Sequence, residues 1–117
     1  MALSSRSGSP RGVAQTGTTM VAYEVTVDVA VELADQFIAY MLVRHVPDLM
    51  STGCFVSADL SQASETRFRQ RYVAFSREDL DRYLAEHAVR LREDFAKHFP
   101  TGTAVTREVW AVHKTWT

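Results

Sequence analysis

Between Val21 and Val29 apolar and polar residues alternate, with Ala22 the one apolar residue on the polar face. Val21, Tyr23, Val25, Val27 and Val29 fall on one face, and Glu24, Thr26 and Asp28 on the other. A period of two is that of a strand buried on one side. From Val31 the period lengthens: Ala34, Phe37, Ile38 and Met41 gather on one arc at about 100° per residue, which predicts an amphipathic helix. "CFVSADL" restores strand character, "QASE" predicts a loop, and "TRFRQRYVAF" a third strand. Ser76 and Asp79 form a capping box for a second helix. Its stripe is Leu80, Leu84, Ala88, Leu91 and Phe95, and Glu78–Arg82 and Glu86–Arg90 are spaced to pair on its outer face. "AVTREVWAV" predicts the last strand.

The order βαββαβ is the ferredoxin-like arrangement, an α+β fold with a four-stranded antiparallel sheet and two helices on one face. It implies the strand order four-one-three-two. The two halves also share punctuation: His45-Val46-Pro47 with Thr52-Gly53 after the first helix, His98-Phe99-Pro100 with Thr101-Gly102 after the second. A basic residue near a helix C-terminus, a proline and then a turn glycine read as the same stop signal used twice.

Alternation assigns the sheet faces. Phe68, Tyr72 and Ala74 of the third strand point to the helices, with Gln70 as a polar anomaly among them. Arg67, Arg69, Arg71, Val73 and Phe75 point the other way, as do Glu24 and Asp28, so cross-strand ion pairs are expected there. Phe55, Trp110 and Val112 join that second face by the same rule. Aromatics interleaved with arginine on an open sheet have the composition of a protein interface. The expectation is a homodimer packed sheet against sheet through Phe55, Arg69, Arg71, Val73 and Trp110.

Composition narrows the picture further. The 117 residues support one small domain, and 13 Lys and Arg against 14 Asp and Glu leave no one-signed patch for nucleic acid or an anionic membrane. The third strand also lacks the glycine-containing aromatic motif of RNA-recognition sheets. No apolar run approaches the roughly 18 residues of a membrane span. A single cysteine, Cys54, cannot form an intrachain disulfide, and a reducing cytoplasm is the simplest setting. Residues 1–19 are rich in Ser, Gly and Thr, with Arg6 and Arg11 and no acid. They read as a disordered leader before a domain at 20–117, with Met20 a candidate start.

Candidate chemistry is sparse. His87 falls within the apolar stripe of the second helix with Tyr83 beside it, and His45 lies on the apolar arc of the first, close to Cys54. These three side chains, His87, Tyr83 and His45, are the candidate ligand contacts, with His87 as the candidate base of any catalytic version. A metal shared by His45, Cys54 and His87 is not expected, because His87 lies about ten residues into its helix, roughly 15 Å along the domain. Phosphate loops, nucleophile elbows and HExxH are absent, so no cofactor is expected.

"YEVTVDV", "RHVPDLMSTGCF", "FRQRYVAFSREDLDRYLAEHA" and "LREDFAKHFP" resemble the small bacterial proteins grouped as domain of unknown function 4286. The resemblance spans about 20–112 and implies a ferredoxin-like protein with no assigned catalytic residues. More distantly the layout looks like the dimeric α/β-barrel group, which includes cofactor-independent monooxygenases, isomerases and ligand-sensing domains. The resulting expectation is a homodimeric ligand-binding or structural module. The alternative is a cofactor-independent monooxygenase or isomerase with His87 as base and Tyr83 or His45 positioning substrate.

Overall fold

In the computed structural model, which describes residues 19–117, the strand order is β2-β3-β1-β4, as the βαββαβ arrangement implies. β1 is Val21–Val29, β2 Ser57–Gln62, β3 Arg67–Ala74 and β4 Thr103–Ala111, every neighbouring pair antiparallel. Apart from Thr19, the expected leader lies outside the described residues. The inward face of β1 is buried throughout, and Phe68, Gln70, Tyr72 and Ala74 of β3 lie beside it. On the opposite face Arg67 pairs with Asp28 at 3.6 Å and Arg71 with Glu24 at 3.7 Å, the expected cross-strand pairs.

The first helical segment departs from expectation. It opens as a 3₁₀ turn at Val31–Leu33, continues as α1 (Ala34–Tyr40), widens to a π turn at Met41–His45 and resumes as α2 (Val46–Met50). Pro47 therefore does not stop the helix; it occupies the first turn of α2. Proline has no N–H to donate and its ring crowds the preceding turn, and the wider π turn lies where that mismatch must be absorbed. The chain turns only at Gly53, φ +76°. The second stop signal works as predicted: α4 (Ala88–His98) ends before Phe99, and Gly102 follows at φ +86°.

The second helix is two helices. Ser76 caps α3 (Arg77–Glu86) through its hydroxyl, which accepts from the Asp79 N–H at 3.2 Å. At His87 the backbone leaves helical geometry (φ −127°, ψ −32°) before α4 begins. The expected Glu78–Arg82 and Glu86–Arg90 pairs give way to Asp79–Arg82 at 3.3 Å and an Arg90 contact to the His87 ring at 3.1 Å.

Gly102 is required by its backbone and favoured by its surroundings. Besides its positive φ, a Cβ there would stand 2.7 Å from Leu33 Cδ1, in the turn where the Ala30 N–H donates to the Gly102 carbonyl. Gly102→Ala is expected to lose about 1–3 kcal/mol, read as a lower denaturant midpoint at unchanged slope. Gly53→Ala has nothing within 4 Å and should lose less. Equal losses would remove the Leu33 contact from the explanation.

Candidate functional site

Met41, His45 and Leu49 recur every four residues along the first helical segment and face one cavity between helices and sheet. The far wall comes from the sheet. Gln70 of β3 and Arg107 of β4 are both register partners of Val25 in β1, so these three residues form one row across the inward face. Tyr83 from α3 and Arg92 and Phe95 from α4 complete the enclosure. The cavity holds about 400 Å³ of empty space, open solvent at its mouth included, of which about 40 Å³ can hold the centre of a water molecule. That space is room for about three or four waters, at roughly 10–15 Å³ each on that measure. Beyond Val105 every residue of β4 is exposed, so the cavity opens along this edge.

Two buried polar atoms in the described structure have no partner, and both belong to residues lining this cavity: His45 Nδ1 and Gln70 Nε2. Gln70 is 1% exposed, and its other amide atom is used, since the Tyr72 hydroxyl donates to Oε1 at 2.7 Å. Buried polar groups in folded proteins are nearly always paired, so two orphans in one cavity mark a place where something else bonds. Burial pushes the His45 imidazole below its ordinary range and outweighs the opposing pull of Asp94 and Asp48, so the ring is neutral at pH 7. Burial likewise holds the Tyr72 and Tyr83 hydroxyls above the usual phenol range, as protonated donors.

Beside the cavity-lining His45 and Phe95 lies a cluster that the sequence reading missed. Asp94 of α4 accepts from the Tyr40 hydroxyl at 2.6 Å and from Arg44 Nε and Nη2, each at 2.8 Å. Those bonds hold its carboxyl well below the usual carboxylate range and pin the first helical segment to α4. A fork-shaped arginine met by one carboxylate from α4 leaves no local periodicity to read.

The sequence-predicted residues divide. Tyr83 and His45 meet at the cavity, whereas His87 does not line it. His87 sits at the α3–α4 break, its Nδ1 against Arg90 and its ring stacked near Tyr83 at 6.4 Å between centroids. Among the proposed interface residues, Arg69, Arg71, Val73 and Trp110 share the open face, as their registers with Thr26, Glu24 and Ala22 require. Phe55 does not. It is buried under the helices, 5.0 Å from Tyr83 and 5.5 Å from Tyr72 between ring centroids. Cys54 and Phe55 precede β2 and are both buried, so the strand rule that sent Phe55 outward does not apply to them. Arg107 was missed, although alternation places it inward between Val105 and Val109. Among the described residues no three of His, Cys, Asp and Glu converge to hold a metal, and no helix is long and apolar enough to cross a membrane.

The sequence pattern of the family described as Domain of unknown function (DUF4286) matches residues 20–113. This chain belongs to that family. No curated protein is significantly similar to it in sequence. Solved structures share the fold at low identity. SnoaB, a cofactor-independent oxygenase from Streptomyces nogalater, is 14% identical over 83% of this chain and 96% of its own, with a TM-score of 0.62. A dimeric ferredoxin-like protein from an uncultured marine organism is 16% identical over 84% and 99%, TM-score 0.61. Rv0793 from Mycobacterium tuberculosis is 18% identical over 84% and 99%, TM-score 0.60. At these identities the likeness establishes the ferredoxin-like fold of this DUF4286 chain, and function has to be argued from its own cavity.

Proposed function

We propose that this DUF4286 protein binds a small organic molecule in the cavity between the first helical segment, α3–α4 and the sheet. The observation that carries this reading is the pair of unpartnered buried groups, His45 Nδ1 and Gln70 Nε2, on one enclosed surface. A ligand that bonds to both groups takes the place of water there, and one that bonded to neither would leave each unsatisfied at a cost of about 1–3 kcal/mol. Tyr83 adds a protonated hydroxyl to the same wall.

The test is native mass spectrometry of freshly purified protein beside the double variant Gln70→Met/Tyr72→Phe. That variant removes both partners of a buried hydrogen bond with little change of shape, which is close to neutral for stability. The expected result is a bound molecule in the parent and its loss in a variant that still unfolds within about 1 kcal/mol of the parent. Protein that is always empty, with ordered water alone bonded to both groups in a crystal, would overturn the reading.

A second reading, cofactor-independent oxygenation, is favoured by the state of His45: neutral, on the cavity lining, with an unbonded ring nitrogen, as a general base requires. The structurally similar SnoaB is described as such an oxygenase. Here His45, not His87, takes the role of base. Oxygen-dependent turnover of the co-purified molecule that disappears in His45→Asn, while the molecule stays bound, would select this reading over simple binding.

The assembly we propose is a homodimer through the open sheet face; a structural neighbour is described as dimeric. Trp110 is 51% exposed on that face beside Ala22 and Val73, and Arg69 has no ion-pair partner among the described residues. A cytoplasmic location is proposed on the lone, buried Cys54.

A further inference from the structure

The charge of the cavity wall is one-sided. Two arginines line it, Arg92 and Arg107, and no aspartate or glutamate does. Arg107 has neither a hydrogen bond nor an ion pair among the described residues, although it occupies an inward register position between Val105 and Val109. Its positive charge is felt at both His45 and Tyr83. Arg92 donates to the Tyr23 hydroxyl at 3.0 Å and meets no carboxylate. The acids nearest in register, Glu24 and Glu108, are on the opposite face of the sheet. Elsewhere in this protein arginines that face acids find them: Arg44, Arg67, Arg71, Arg77 and Arg82 all form ion pairs.

Arg92 and Arg107 are both exposed and neither meets a carboxylate, so both are free to take an anion that reaches the mouth. An anion meets them, and a carboxylate matches the planar fork of an arginine. Deeper in, Gln70 Nε2 offers an N–H with nothing to receive it, which a second acceptor oxygen would satisfy. The neutral His45 ring adds no competing charge. The cavity proper is small, so it admits a head group while the rest of the molecule extends through the mouth along β4.

We infer that the ligand is an organic carboxylate, its head group held by Arg107 and the Gln70 side-chain amide; this inference rests on the small-molecule-binding reading above. The experiment uses two isosteric probe pairs, acetate against acetamide and benzoate against benzamide. Each is titrated into the full chain while the Gln70 side-chain NH₂ is followed by ¹H–¹⁵N NMR, with Arg107→Met as the variant. The expected result is that a carboxylate shifts the Gln70 amide and its amide counterpart binds at least tenfold more weakly. Carboxylate binding should weaken at least tenfold in Arg107→Met and fall with added salt. Arg107 is exposed, and unchanged backbone spectra will confirm that the variant folds. If the amide binds as well as the carboxylate, or Arg107→Met leaves carboxylate binding intact, the charge assignment is wrong and the cavity reading survives. If none of the four probes moves the Gln70 amide, the carboxylate inference is overturned, and native mass spectrometry alone then decides the cavity reading.

Discussion

Trp110→Asp is expected to leave a folded monomer where the parent sediments as a dimer. Trp110 stands on the open face of β4, cross-strand from Ala22 and on the same face as Val73. Large aromatics at the centre of an interface commonly contribute about 2–4 kcal/mol each, a roughly 30- to 1000-fold change in dissociation constant. A two-fold interface carries the substitution twice. The new carboxylate also lies two residues from Glu108 and diagonal to Glu24 on that face, so it adds repulsion to lost burial. Folding of the protomer should persist, because half the indole is already in water. Val43→Asp, at a position 80% exposed on the helical side, should leave the mass unchanged. Sedimentation equilibrium decides: a parent that is monomeric at micromolar concentration, or a Trp110→Asp protein that remains dimeric, sinks the proposed assembly.

Phe37→Ala is expected to be the most destabilising single change, at about 3–5 kcal/mol. Phe37 is fully buried, with ring centroids 5.0 Å from Phe68 on the sheet, 5.9 Å from Phe99 and 6.3 Å from Phe95. It therefore joins all three parts of the core: first helical segment, α4 and sheet. Truncation removes the transfer energy of the ring and leaves a void whose walls belong to regular elements that cannot collapse freely. For a domain of this size the melting temperature should fall by roughly 12–40 °C. The variant should also lose ligand, because Phe95 is shared between this cluster and the cavity wall. A loss below about 1.5 kcal/mol by denaturant unfolding would mean that the core repacks, against the rigidity assumed here.

Much of the fold was legible because strand and helix periods are local properties. Alternation located the inward face of β1 and singled out Gln70 as polar where an apolar residue belonged. That oddity is now the floor of the cavity. The same rule failed at Phe55, which lies outside the strand, and it was not carried to Arg107, whose inward position it would have exposed. The break at His87 had no sequence mark, with neither glycine nor proline at hand; it removed from the cavity the histidine that the helical stripe had placed near one. His45 lies on the cavity where the apolar arc of the first helical segment had placed it, at the end of the π turn.

By itself the sequence determined the order of strands and helices, the two sides of the sheet, the arginine–acid pairs across it and membership of the family. All but the last depend on the spacing of residues along strands and helices; family membership rests on the match of whole motifs. The tertiary structure alone decided that His45, Gln70 and Arg107 share one space, that Asp94 gathers Tyr40 and Arg44, and that Phe55 turns inward. Those residues are far apart in the chain. Only strand register and the seating of helices on the sheet determine which of them meet, and no periodicity records that.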